Sequence, residues 1–173
     1  MLKIVKSMSQ LDISKLMYVY SEGNTQNGAE LYPHLSIEAQ IREAELDFYR
    51  YLNDVFFRIA DAFYAVLESD YRYLAALRLE PYRDGWLLCA LETAPGERKK
   101  GYATELINSV KKYLIVKGDF KIYSHVSKRN LASLSVHRKC GFKTLLDYAV
   151  YLDGSVLHNS YTLILDSKKS ETL

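Results

Sequence analysis

Three cations and a glycine fall within six consecutive residues, Arg98-Lys99-Lys100-Gly101-Tyr102-Ala103, at what reads as a junction between a strand and a helix. Before them, Leu87, Leu88, Ala90 and Leu91 form an apolar run of strand length, closed by Thr93, Pro95 and Gly96. After them, Tyr102, Leu106, Ile107, Val110 and Leu114 recur at three- and four-residue spacing, the period of an amphipathic helix. A helix start carries backbone N–H groups without intrahelical partners and the positive end of the helix dipole. Gly101 lets another molecule come close to that backbone, and the neighbouring cations add charge. The combination suits a phosphate or diphosphate. A solvated basic turn is the plainer alternative.

Downstream, Asn130, Ser133 and His137 recur at helical spacing ahead of Gly141-Phe142. Asn130 suits a helix N-cap and Gly141 a C-cap. Taken together, the two clusters resemble the GNAT acetyltransferases. Arg-x-x-Gly-x-Ala after a strand is similar to that family's acyl-CoA diphosphate loop. Asn-x-x-Ser-x-x-x-His-x-x-x-Gly-Phe is similar to its second CoA motif, with His137 where a tyrosine usually stands.

The resemblance implies an α/β fold: one N-acetyltransferase domain over residues 1–173, with a central, mixed but mostly antiparallel sheet of six to seven strands and about four flanking helices. It implies that the strands ending at Thr93 and beginning near Lys121 splay apart to admit the pantetheine arm of acetyl-CoA, the co-substrate. The cofactor-binding residues carried over are Leu91, Thr93, Arg98, Lys99, Lys100, Gly101, Tyr102, Ala103, Thr104, Asn130, Ser133 and His137. Backbone around Leu91 and Thr93 would meet the arm and present an N–H to the thioester carbonyl; the loop would meet the diphosphate mainly through backbone N–H groups. Asn130 reads both as a helix cap and as a contact to the arm.

Moving an acetyl group from a thioester to an amine requires a neutral amine, a donor for the developing oxyanion and a proton for the departing thiolate. It needs neither a metal nor a covalent nucleophile, and none is expected. His137, standing for the tyrosine that donates to the CoA sulfur, is the candidate acid, since an imidazolium donates readily near neutral pH; a packing role is the alternative. His125 lies five residues before Asn130, at the offset where some relatives that acetylate protein N-termini keep a general-base Glu. Its natural pKa suits proton removal from an ammonium, directly or through water. Alternation puts it on the strand face shared by Lys121 and Tyr123. Glu92 is the other candidate base. Leu87 occupies the position of the Glu used by the histone-acetylating branch, so histone-type acceptors are not indicated. Glu80 reads as lining the acceptor side or as a rim salt bridge, and Tyr148 and Tyr151 read as acceptor-pocket or packing residues.

The elements that must position these groups follow from the pattern. Residues 2–6 alternate as a short strand. A helix begins near Ser9 or Asp12 and is expected to end at the polar cluster Ser21–Gly28. Ser36 caps a longer helix whose wide apolar stripe (Ile41, Ala44, Phe48, Tyr49, Leu52) serves the core and partly borders a cleft. Strands are expected at 63–68, 73–81 and 86–93, the last two joined through Asp84-Gly85. Another follows Gly118-Asp119 at 121–126. Two final strands are expected at 142–152 and 161–165 about a turn at Asp153-Gly154, followed by a polar, fraying tail from Asp166.

Composition sets the remaining bounds. Hydrophobic residues make up 49% and charged residues 25%, as in ordinary globular domains. Cys89 and Cys140 form neither a disulfide framework nor a metal signature. The N-terminus lacks a signal-peptide core and no apolar run is long enough to span a bilayer, so a cytoplasmic location without membrane partners is expected. The net charge of +2 conceals an asymmetry: residues 1–70 carry 11 acidic and 6 basic side chains, the remainder 10 and 17. A basic C-terminal part suits an anionic cofactor, and an acidic N-terminal part suits a small-molecule or peptide amine. The basic residues concentrate at the proposed cofactor loop, so nucleic acid is not an expected partner. A dinucleotide-dependent oxidoreductase lacks its three-glycine turn with a ribose-binding acid here. Two readings stand: an acetyl-CoA-dependent N-acetyltransferase, monomeric or homodimeric, and an acyl-CoA-binding module without turnover.

Overall fold

A computed structural model describes residues 1–169. Seven strands form one sheet in the order β1-β2-β3-β4-β5-β9-β6: β1 (Leu2–Val5), β2 (Phe63–Ser69), β3 (Arg72–Tyr82), β4 (Gly85–Thr93), β5 (Lys121–Ser127), β6 (Lys143–Leu146) and β9 (Ser160–Asp166). Every neighbouring pair is antiparallel except β4 and β5, which run parallel. Five α-helices flank the sheet: α1 (Ile13–Val19), α2 (Ser21–Leu31), α3 (Ile37–Asp54), α4 (Tyr102–Ile115) and α5 (Leu131–Lys139). A small hairpin of β7 (Ala149–Val150) and β8 (Val156–Leu157) stands apart from the sheet.

Strand alternation divides the core. Ala75, Leu77 and Leu79 of β3 face the side packed by Leu106, Ile107, Val110 and Leu114 of α4 and Leu134 of α5. Tyr64 and Val66 of β2 and Ala76 of β3 face the other side, against Leu16 and Val19 of α1 and Leu52 of α3. Asp12 caps α1, Ser36 caps α3 and Asn130 caps α5, each accepting an N–H from the first turn as their sequence positions indicate.

Two expectations are corrected. The polar cluster Ser21–Gly28 is not the end of a helix but most of α2, SEGNTQNGAEL, whose sequence has little amphipathic signal. Packing on α3 supplies what propensity does not. Gly28 makes that packing possible, because a Cβ there would sit 2.5 Å from the Gln40 carbonyl oxygen. The segment 142–152 is not one strand. It breaks into β6 and β7, with Tyr148 lending its carbonyl to the Thr162 hydroxyl (2.7 Å) between them. Ser167–Lys169 forms a 3-10 turn, and the expected fraying of residues 170–173 lies outside the described residues. Among the described residues, no helix is long and apolar enough to cross a membrane.

Candidate active site

The parallel pairing of β4 with β5 covers Trp86↔Ile122, Leu87↔Tyr123 and Leu88↔Ser124 and then stops, although β4 runs on to Thr93 and β5 to Ser127. Beyond the last pair lies a cavity of about 270 Å³, walled by residues 87–91 of β4, residues 124–127 of β5, Asn130, Ser133 and His137 from α5 and its cap, and Tyr151. This first cavity therefore brings together Leu91, His125, Asn130, Ser133 and His137, which the sequence held up to 46 positions apart.

β4 also changes direction here. Ala75 pairs with Thr93 and Ala76 with Glu92, but Arg78 pairs with Cys89, so Ala90 and Leu91 together oppose Leu77. This is a β-bulge, and Ala90 takes a left-handed φ of 50°. The Tyr20 hydroxyl holds the strained residue by donating to the Ala90 carbonyl (2.6 Å), and it receives a hydrogen bond from Tyr64 (3.2 Å). Burial of both rings drives the Tyr20 phenol well above its ordinary pKa and the Tyr64 phenol up to about 12, so both stay protonated.

At the end of β4 the chain makes a short 3-10 turn and enters α4 through Gly101, whose φ is +90°. The helix ladder opens with Glu105 N–H to Gly101 O (3.0 Å); among the described residues, no protein group accepts from the N–H groups of residues 99–104. The cations are less uniform than their spacing suggests. Arg98 turns away from the loop to Glu22 of α2 (2.6 Å) and Glu92 of β4 (3.8 Å), and Lys100 pairs with Glu97 (2.8 Å). Lys99 has no ionic partner among the described residues. Tyr102 packs on the core, and the Thr104 carbonyl faces the Cys140 thiol (3.9 Å).

The two histidines differ in environment. His125 sits between Tyr82 and Tyr151, edge to face with ring centroids 5.6 and 4.9 Å away, and neither ring nitrogen has a hydrogen-bond partner. Burial, with Arg83 adding repulsion, lowers its pKa and keeps the ring neutral. His137 is 1% exposed, with its Nδ1 2.8 Å from the Ser133 carbonyl oxygen and its Nε2 unpartnered. Burial lowers its pKa too, against a smaller opposing effect of the Ser133 carbonyl. In the neutral ring, an Nδ1–H donated to that carbonyl leaves Nε2 without a proton.

Glu92 does not join the histidines. It lines a second cavity, of about 490 Å³, on the opposite side of the bulge, with Tyr20, Asn24, Asp47, Phe48, Tyr51 and Arg78. Burial raises its pKa and Glu22 adds to the shift, against the opposing charge of Arg98. Ala90 is a wall of both cavities. Arg78 lies over Tyr51 (4.8 Å) and forms a partly buried salt bridge with Glu80 (3.1 Å). Most of these second-cavity residues escape a reading by motif. The one usable signal is the stripe Ala44, Phe48, Tyr51 of α3, which is wider than the core requires. Cys89, between the two sides, is pushed up to about 11, first by burial and then by Glu80, and stays a thiol.

Comparison with known proteins bears on the fold and the family. No curated protein matches the chain by sequence. Among solved structures it is similar to the PaiA N-acetyltransferase from Thermoplasma acidophilum in complex with coenzyme A, at 20% identity, covering 96% of this chain and 99% of that one with a TM-score of 0.63. It is similar to the ribosomal-protein-S18-alanine N-acetyltransferase from Escherichia coli, at 16% identity, 96% and 94% coverage and a TM-score of 0.60. It is likewise similar to a spermidine N-acetyltransferase chimera from Vibrio cholerae and hSSAT, at 20% identity, 98% and 97% coverage and a TM-score of 0.59. At these identities the likeness speaks for the fold. The model of the acetyltransferase (GNAT) family matches residues 29–142, about two-thirds of the chain, and the chain belongs to that family of acetyltransferases.

Proposed function

We propose that this chain is an acetyl-CoA-dependent N-acetyltransferase, working as one domain on a small-molecule or peptide amine in a ternary complex. The observation that carries this reading is the cavity that begins where β4 and β5 stop pairing, with polar groups from β5 and α5 gathered on its walls.

The residues present fit CoA. Gly101 and the free N–H groups of residues 99–104 at the start of α4 would hold the diphosphate, with Lys99 adding charge; Leu91, Asn130, Ser133 and His137 would border the arm in the first cavity. Bound there, acetyl-CoA supplies the acetyl thioester. On the protein side, His125 stays neutral in its aromatic sleeve and takes the proton from the acceptor's ammonium, directly or through water, leaving a nitrogen lone pair for the new N–C bond as the C–S bond breaks. The second cavity, reached across Ala90, admits the acceptor; its Glu92 and Asp47 favour a cation. Similar enzymes named for a ribosomal-protein alanine and for spermidine leave peptide and small-amine acceptors as parallel candidates.

An amine panel with acetyl-CoA and thiol detection tests this. Thiol release that depends on an added amine, with an N-acetyl product by mass spectrometry, is expected. Binding of acetyl-CoA without release across peptides, polyamines and amino sugars would instead make the chain an acyl-CoA-binding module.

A further inference from the structure

His137 is fixed at one end of its ring and bare at the other. Its Nδ1 lies 2.8 Å from the carbonyl oxygen of Ser133, one helical turn earlier, and 3.3 Å from the Ser133 hydroxyl. A carbonyl oxygen can only accept, so at the shorter distance Nδ1 carries the proton; without it two lone pairs would face each other. A neutral imidazole has a single N–H, which leaves Nε2 with a lone pair. The edge-to-face contact with Phe142 (centroids 4.9 Å apart) restrains the ring, the side chain is 1% exposed, and Nε2 has no partner among the described residues. His137 is also among the residues that line the first cavity. A buried acceptor without a donor is costly to keep, and a ligand that brings a donor removes the cost.

We infer that His137 is a hydrogen-bond acceptor for the occupant of the first cavity, locked in the neutral Nδ1–H tautomer, and not the proton donor that its position in the helix suggests. This rests on the reading that the arm of CoA lies in that cavity. The arm offers Nε2 two kinds of donor: an amide N–H, present in CoA and acetyl-CoA alike, and a thiol S–H, present only in CoA. In either case the sulfur leaves with the electron pair of the broken C–S bond and takes its proton from the one released by the amine nitrogen, not from His137.

The test is nitrogen NMR of the full chain labelled with [15N]histidine, at neutral pH, with the His137 signals assigned by their loss in His137→Phe. Expected are a protonated Nδ1 and a bare Nε2 in the free protein. On adding acetyl-CoA or CoA, Nε2 should move in the direction of an accepted hydrogen bond while staying unprotonated. A shift with both ligands identifies an amide donor, and a shift with CoA alone identifies the thiol. A proton on Nε2 in either complex, or an unmoved Nε2 signal in both, overturns the inference. Calorimetry gives the second arm: His137→Phe should weaken binding of the ligand that shifts Nε2 by about tenfold, and His137→Gln, whose amide oxygen accepts, should recover part of it. Equal affinity in the Phe variant also overturns it. Should neither CoA nor acetyl-CoA bind the wild-type chain, the cofactor reading itself falls; should both bind with Nε2 undisturbed, only the role of His137 does.

Discussion

The two cavities share Ala90 as a wall but leave their polar atoms in different states. In the first, between β4 and β5, the ring nitrogens of His125 and Nε2 of His137 are buried without partners. In the second, beneath α2 and α3, most polar groups already hold one another: Tyr20 with Ala90 and Tyr64, Tyr32 with Asp47, Glu92 with Arg98, and Arg78 with Glu80 as an ion pair, although Arg78 Nε makes no hydrogen bond. Unpartnered buried atoms are sites that a ligand completes, whereas satisfied networks hold a shape. Substitutions on the first side should therefore register in cofactor binding and turnover, and those in the paired network of the second side in stability as well as in acceptor binding.

His125→Ala should break the comparison most sharply. Loss of a general base lowers turnover by about a hundredfold near neutral pH. The deficit should shrink at alkaline pH, where the amine is already free base; steady-state thiol release at both pH values checks this, and an equal deficit at both would remove the base role. Gly101→Val comes next. Its φ of +90° suits glycine, and although nothing crowds a Cβ there, a branched residue would shift the loop. Affinity for CoA should fall about tenfold, as measured by calorimetry, and Tm should also fall, because a side chain at that φ is strained. On the second side, Tyr20→Phe removes the donor to the strained Ala90 carbonyl and should cost about 1–2 kcal/mol of stability in urea unfolding. Unchanged stability would show that the bulge does not depend on Tyr20.

The smallest effect concerns pH. Burial lowers the pKa of His125 and of His137 below the ordinary 6.5 of an exposed imidazole. Below that value the unfolded chain binds protons that the folded chain refuses. The contribution is thus fully present above about pH 6.5 and is lost as pH falls through the folded values. Tm should decline from pH 7 toward pH 5, and His137→Phe should make that decline shallower. A parallel decline in the variant would mean that His137 titrates alike in both states.

How much of this was legible in the sequence follows the same division. The glycine-cation turn, the strand before it and the Asn130 cap are local signals, each set by a few adjacent residues, and each stands in the fold where its pattern put it; Gly141 takes the left-handed φ expected at the helix end, one residue beyond the C-cap at Cys140. Helix α2 was not legible, because its stability comes from the close approach of Gly28 to Gln40 rather than from its own polar sequence. The bulge was not legible either: nothing in LLCALET marks an alanine for a left-handed φ, and Tyr20, which holds it, lies 70 residues away. Glu92 stands between Leu91 and Thr93 along the chain, beside the backbone expected to meet the thioester, and the bulge is what turns it to the other side of the sheet. The tautomer of His137 depends on a carbonyl one turn back, which sequence spacing permits but does not select.

Hydrogen–deuterium exchange with and without saturating acetyl-CoA tests the central claim most directly, since that claim concerns backbone N–H groups that await an acceptor. Exchange should slow at residues 99–104 and along 124–137 together, with the strands β1 and β2 unchanged. Protection elsewhere, with residues 99–104 exchanging as freely as in the free chain, would contradict the assignment of the loop and the first cavity to CoA.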